Sequence, residues 1–174
     1  MGLFREYDLR GIVGKELTES IAEQVGRAYC TYVKHRGVKT ISVGRDGRLS
    51  SPGLFDALVK GLLAGGMNVI DVGICPSPLV YFSLFQLPVD GGIMITGSHN
   101  AAEYNGFKVC IGKEAIHGEA IQELRRVMES GVFTSGQGTL SEHPIIPDYL
   151  AYIKKSFNGV DAKHLHVVID CGNG

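Results

Sequence analysis

The sequence predicts an α/β protein, a three-layer α/β/α sandwich built around a mixed, mainly parallel sheet of four strands. Short apolar runs of strand length alternate with amphipathic patterns of helical length, which is typical of βαβ units with a parallel sheet between helices. The last two apolar runs are separated by only about nine residues, which is short for a helical crossover. We therefore expect that pair to be antiparallel and the sheet to be mixed.

The four strands are expected at 40–44, 68–72, 92–96 and 106–111. The helices between and after them are expected at about 19–36, 52–65, 78–86 and 117–129.

Residues that favour helix ends support these bounds. Thr18, Ser51 and Ser77 each precede a helical pattern, and proline follows the two serines, as is common at the first helical position. Three glycines are expected to end helices: Gly37, Gly65 and Gly131. The loops after Gly44, Gly73 and Thr96 should all leave from the carboxyl edge of the sheet, where ligands of such sheets bind.

The sequence changes character near its end. We expect residues 1–135 to form one α/β domain and 136–174 to hold a linker, a short helix at about 148–157 and the first strand of a truncated second domain. That strand is expected at 165–171, followed by Gly172-Asn173-Gly174.

Composition limits the function classes. The 174 residues carry a formal net charge of −1 and no apolar run that approaches a membrane span, so neither nucleic acid nor a membrane is expected as a partner. The cysteines, Cys30, Cys75, Cys110 and Cys171, form no zinc or disulfide pattern. We expect buried thiols in a reducing, cytoplasmic environment.

The segment Thr96-Gly97-Ser98-His99-Asn100 is the best candidate for chemistry. A serine is a weak nucleophile unless a base, a cation or prior phosphorylation activates it, and His99 is a candidate base or orienting group. Asn100 stands where a serine-hydrolase turn requires glycine, which excludes that class. Ser98 is therefore a candidate nucleophile or phosphoryl carrier.

Several cationic side chains should lie near this loop. On an extended strand Lys108 faces away from Phe107 and Val109, and the antiparallel return brings it toward Ser98, where it could move a proton to or from a sugar hydroxyl. Arg45 and Arg48 could bind phosphate or brace the turn through Asp46; bracing is favoured for at least one. Tyr7 and Arg10 lie in a polar segment typical of a site or a partner contact.

At these residues the chain resembles the α-D-phosphohexomutase family. The resemblance rests on five segments in the right order: 4–11, 44–51, 76–78, 96–108 and 168–174. It implies that Ser98 is phosphorylated and donates its phosphoryl group to a hexose monophosphate through a bisphosphate intermediate. It also implies that Lys108 is the general acid/base, that His99 and Asn100 flank the serine, and that Tyr7 and Arg10 lie at the same site and bind substrate with Asn100.

The resemblance further implies a bound Mg²⁺ that contacts the phosphate on Ser98. The family's remaining metal ligands are an Asp-x-Asp-x-Asp motif in the second domain, and that motif does not occur here. We therefore expect a phosphosugar substrate, the remaining domains of the same enzyme as partners, and negligible activity for residues 1–174 alone. Phosphoglucosamine mutase activity and a non-catalytic phosphate-binding or interaction domain remain as alternatives.

Two departures from the family's pattern concern the loop. Ala101 and Ala102 replace residues that are usually proline, which should loosen the loop without removing a reacting group. Gly97 stands where alanine is common, which we expect to be a mild change.

Overall fold

The computed structural model describes residues 2–161 and 163–172. The strands are β1 (Leu9–Ile12), β2 (Thr40–Arg45), β3 (Asn68–Ile74), β4 (Gly91–Ile95), β5 (Tyr104–Ile111), β6 (Glu114–Ala115) and β7 (Leu140–Glu142). The helices are α1 (Glu19–Val33), α2 (Ser51–Ala64), α3 (Ser77–Gln86), α4 (Glu119–Ser130) and α5 (Ile146–Ser156).

All the strands belong to one mixed sheet, in the order β1-β5-β4-β2-β3-β7 with β6 paired to β5. The pairs from β4 to β7 are parallel, whereas β5 runs antiparallel to β4 and β1. The mixed α/β class and the antiparallel return of 106–111 are thus confirmed. Among the described residues the sheet has seven strands rather than four. The short strands β1 and β7 form only through pairing with distant segments, and β6 is the two-residue return of a hairpin on β5.

The helices cover both faces of the sheet, which confirms the three layers. The larger core lies between the sheet and α1, α2 and α4, and the smaller one lies between the sheet and α3. In β4 the side chains of Ile93 and Ile95 enter the larger core while Met94 enters the smaller one, as the alternation of a strand requires. Within the part of the chain that the structure describes, no helix is long and apolar enough to cross a membrane.

Helix ends agree with the sequence in part. The Ile21 amide donates to Thr18 Oγ1 over 3.3 Å, which confirms Thr18 as the cap of α1. Ser51 and Ser77 are instead the first residues of α2 and α3, and neither predicted cap is correct. The Ser51 hydroxyl donates to Asp46 Oδ1 at 2.6 Å, so it is committed to the preceding turn.

The segment after α4 contributes to the sheet. Within the span expected as a linker, β7 pairs in parallel with β3, and Ile145 is fully buried in the smaller core. The strand expected at 165–171 is not formed: those residues are exposed and unpaired, with Val168 98% accessible. A strand needs a hydrogen-bonding neighbour, and no described strand lies beside this segment. Asn173 and Gly174, included in that expectation, lie outside the described residues.

Candidate active site

The Ser98 loop joins the end of β4 to β5 at the carboxyl edge of the parallel strands. Ser98 has φ of 55°, the single non-glycine residue with positive φ among the described residues. This left-handed region is unfavourable for a side chain with a Cβ and costs about 1–3 kcal/mol. Ser98 and His99 are both exposed, and Ser98 Oγ lies 3.2 Å from His99 Nδ1. The hydroxyl is therefore presented to solvent with a ring nitrogen in hydrogen-bonding reach.

Lys108 faces the opposite side of β5 from the buried side chains of Phe107 and Val109, as predicted. Its Nζ lies 3.6 Å from Asp8 Oδ2. This contact follows from the register, because β1 pairs Leu9 with Phe107 and so places the residue before Leu9 beside Lys108.

Arg10 connects this group to the loop. Its guanidinium donates to Asp8 Oδ2 and to Asn100 Oδ1, and its side chain is only 9% exposed. One carboxylate thus lies between two cations, which leaves a net positive charge next to the Ser98 loop. Such a charge favours a dianionic phosphate over a neutral group. The Arg10 Nε has no partner in the described part of the chain.

Tyr7 lies apart from this group in the contacts that are described. Its exposed ring stands 6.2 Å from the ring of His117 and at 39° to it. Its part in substrate binding stays a prediction.

Arg45, the last residue of β2, and Arg48, in the loop after it, both brace the structure. Arg45 Nη1 is 2.8 Å from Asp71 Oδ1, and its guanidinium lies over the Phe55 ring. Arg48 pairs with Asp46 and also bonds carbonyl groups of the Ser98 loop. Both are therefore committed to protein partners, which confirms the preference for bracing.

The predicted sheet edge forms an open cleft of about 1130 Å³. Residues from the loops after β2, β3 and β4 line it, including Arg48, Cys75 and Ser98. The shared carboxyl edge is thus confirmed, and the Ser98 hydroxyl faces a space open to a ligand.

No group of three or more histidine, cysteine or acidic residues in the described ranges could hold a metal ion. His164 and His166 are exposed. A hydroxyl or a phosphate on Ser98 could still supply an oxygen ligand, the type that Mg²⁺ prefers.

Sequence reasoning missed Asp8, and it recognised Asp46 only as a possible partner of the arginines, not as an acceptor for the Gly97 amide and the Ser51 hydroxyl. Asp8 is 8% exposed. Its burial, and hence its role at the site, could be predicted only if β1 were recognised as a strand. The expectation that Gly97 is a mild change is wrong in this geometry. A Cβ at that position would lie 2.5 Å from Arg48 Nε and 2.7 Å from the Tyr104 carbonyl oxygen.

Comparison with known proteins gives one consistent result. The family model described as "Phosphoglucomutase/phosphomannomutase, alpha/beta/alpha domain I" matches residues 1–134. A phosphomannomutase/phosphoglucomutase of Pseudomonas aeruginosa is 42% identical over 172 residues, covering 99% of this chain and 37% of the relative. A phosphoglucomutase of Neisseria meningitidis is 40% identical over 174 residues, with the same coverage of both chains.

A solved structure agrees with the sequences. The crystal structure of a phosphoglucomutase/phosphomannomutase family protein from Burkholderia thailandensis superposes with a TM-score of 0.84 at 38% identity, covering 88% of this chain and 35% of that one. The chain thus spans little more than a third of the length of these relatives. On the family model and these likenesses together, the chain belongs to the phosphoglucomutase/phosphomannomutase family.

Proposed function

We propose that this chain supplies the phosphoserine segment of a mutase that interconverts hexose 6-phosphate and hexose 1-phosphate. The observation that carries the proposal is the exposed Ser98 hydroxyl on a left-handed turn at the edge of a cleft. Arg10, which shares the Asp8 carboxylate with Lys108, bonds Asn100 of the same loop. The names of the relatives, which refer to glucose and mannose phosphates, support these two sugars as substrates.

The reaction needs a phosphoryl group on Ser98. When the bond between phosphorus and Ser98 Oγ breaks, a new bond forms from phosphorus to a sugar hydroxyl oxygen. The sugar hydroxyl loses a proton and Ser98 Oγ gains one. The second half of the cycle returns the other phosphoryl group of the bisphosphate to Ser98.

Two side chains fit the two proton movements. Lys108 exchanges a proton with the sugar hydroxyl as general acid/base. His99 Nδ1, 3.2 Å from Ser98 Oγ, is placed to give a proton to that oxygen or take one from it.

Charge and position supply most of the catalysis in phosphoryl transfer. Arg10 and Lys108 contribute positive charge, and Arg10 also fixes the Asn100 amide on the loop. Asn100 and Tyr7 would then contact the sugar phosphate. Bound to the phosphate on Ser98, Mg²⁺ would neutralise part of its negative charge.

The assay uses the full-length protein of which this chain is part. Intact-mass measurement should find one phosphoryl group, peptide mapping should place it on Ser98, and incubation with hexose phosphate should exchange it. Ser98→Ala should lose both the phosphate and turnover, because no other described hydroxyl occupies this position. Wild-type turnover in Ser98→Ala would refute the assignment.

The same measurement tests the alternatives. A phosphate on Ser98 that sugars do not exchange would favour a non-catalytic phosphate-binding domain, and faster turnover of glucosamine phosphates would favour phosphoglucosamine mutase. Residues 1–174 alone should show negligible turnover in a coupled glucose 1-phosphate assay, and robust turnover there would contradict the need for further domains.

A further inference from the structure

We propose that Arg48 is a positioning residue for phosphoryl transfer, which holds the Ser98 loop so that the serine stays in its left-handed conformation. The inference rests on the proposed function, because the loop that Arg48 holds is the one assigned to phosphoryl transfer. It assigns Arg48 no contact with substrate.

The Arg48 guanidinium donates to four backbone carbonyl groups of the loop and its return. Nη2 bonds the oxygens of Ser98 at 3.1 Å and Asn100 at 2.6 Å. Nη1 bonds those of Ala101 at 2.7 Å and Tyr104 at 3.1 Å. We call these four bonds the Arg48 clasp. They fix the carbonyl of Ser98 itself, and hence the backbone turn at that residue.

The clasp has a rigid base in Asp46. Its Oδ2 accepts from Arg48 Nε and from the Gly97 amide, each at 3.2 Å. Its Oδ1 accepts from the Arg48 amide at 3.2 Å and the Ser51 hydroxyl at 2.6 Å. Asp46 therefore orients the guanidinium and holds the first residue of the turn at the same time.

A second layer ties this base to the sheet. Asn105 is fully buried in β5, and its Nδ2 donates to Ser51 Oγ at 3.0 Å and Ser50 Oγ at 2.9 Å. The start of α2 and the strand that follows the loop are thus linked through side chains. The loop is held at both of its ends.

The donor count separates positioning from phosphate binding. Arginine has five N–H donors, and Arg48 uses Nε once and each terminal nitrogen twice. No donor is left for a phosphate. Lysine has three donors on one nitrogen and cannot reproduce this planar arrangement.

The loop has a few other bonds: the Ser98 amide donates to Thr96 Oγ1 at 2.7 Å, the Asn100 amide donates to the Gly97 oxygen at 3.0 Å, and Arg10 donates to the Asn100 side chain. Ala101 and Ala102 are exposed and have no ring to restrict the backbone. An unfavourable φ persists only where the surroundings determine it; among the described residues the clasp supplies the bond that holds the Ser98 carbonyl. Without it, Ser98 should relax and its oxygen should move away from the position that transfer requires.

The test compares Arg48→Lys with Arg45→Lys in the full-length protein. Arg45 is a matched control, because it lies at the same end of β2, has a side chain 19% exposed against 17% for Arg48, and pairs with Asp71 rather than with the loop. The single-turnover rate constant from phosphoserine to hexose phosphate should fall about 10- to 100-fold in Arg48→Lys and stay near wild type in Arg45→Lys. A loss of folded protein lowers amplitude but not this rate constant, and KM should change little.

Amide hydrogen exchange provides a readout that does not depend on turnover. Exchange at 97–104 should become faster in Arg48→Lys and stay unchanged in Arg45→Lys. Asp46→Asn keeps Arg48 but removes the charge that orients it. This variant should also lower the single-turnover rate constant and speed exchange at 97–104, and it serves as the test if Arg48→Lys does not fold.

Equal rate constants and equal exchange in the two arginine variants would overturn the inference while leaving the proposed function intact. If the wild-type protein transfers no phosphoryl group to hexose phosphate, the proposed function and the role of Arg48 in transfer are both refuted. Amide hydrogen exchange would then test only whether Arg48 holds the loop.

Discussion

Gly61 lies in α2 where this helix crosses α1, and its replacement by alanine should destabilise the chain. An added Cβ would lie 2.9 Å from the Glu23 carbonyl carbon and 3.2 Å from the Arg27 amide nitrogen, and closer still to the Glu23 oxygen. These are backbone atoms of a packed helix, which cannot rotate away. Gly26 of α1 faces the same crossing, where its own Cβ would lie 2.8 Å from the Leu62 nitrogen.

Two effects of opposite sign determine the magnitude. Alanine stabilises a helix interior by about 1 kcal/mol relative to glycine. Overpacking costs about 1–3 kcal/mol, and a clash with backbone should lie at the upper end of that range. The net loss should be about 2 kcal/mol, which lowers the melting temperature by about 4–8 °C for a chain of this length.

Thermal and urea unfolding of the 174-residue chain measure this change. Gly53→Ala is the matched control in the same helix, since its Cβ would meet only the Glu19 carboxylate, at 2.7 Å, on a flexible side chain. That variant should be as stable as wild type or slightly more stable. A Gly61→Ala chain at least as stable as wild type would refute the close crossing of α1 and α2.

Two further predictions concern buried groups. Asp8→Asn leaves the nearly buried Arg10 without its counter-charge and should lower the free energy of unfolding by about 3 kcal/mol in urea titrations. The control is Glu129→Gln, which breaks the exposed pair of Glu129 with Arg125 and should change the free energy of unfolding little. Equal effects of the two substitutions would contradict the buried pair. Burial raises the pKa of Cys30 to about 12 and of the two other buried thiols to about 11, so a thiol reagent at pH 8 should label exposed Cys171 first and the others only on unfolding. Because those folded-state pKa values lie above the ordinary 9.0, the stabilisation that comes from keeping these thiols protonated should be fully present below about pH 9. It should decline as pH rises toward 11–12. Rapid labelling of all four thiols in folded protein would contradict the burial of three of them.

The sequence predicted the elements that have a strong local pattern. Apolar runs mark four strands, β2, β3, β4 and β5. Such a run indicates a strand that is buried on one or both faces of the sheet, and the structure buries these side chains. The segment 165–171 has the same pattern but pairs with no strand among the described residues. An apolar run forms a buried strand only where a neighbouring strand exists. β1 shows the opposite case: its strand character comes from pairing with β5 along a polar segment.

The same distinction applies to the candidate site. Ser98, His99 and Lys108 could be proposed as site residues from the sequence because a serine, a histidine and a lysine in and after one loop are recognisable as a possible nucleophile, base and cation. The contacts of Asp8 with Arg10 and Lys108 depend on the register of β1 against β5, which no local pattern specifies. Asp46 and Arg48 were visible as a possible brace, but the four carbonyls that Arg48 reaches depend on the folded path of the loop.

The most direct test of the central claim follows a labelled phosphoryl group on Ser98 of the full-length protein. Isolated phosphoprotein with radiolabelled phosphate is mixed with one equivalent of unlabelled glucose 1-phosphate or mannose 1-phosphate, and the products are separated. The account predicts that the label leaves Ser98 and appears in a hexose bisphosphate and then in hexose monophosphate. Label that stays on the protein, or that is found on a residue other than Ser98, would contradict it.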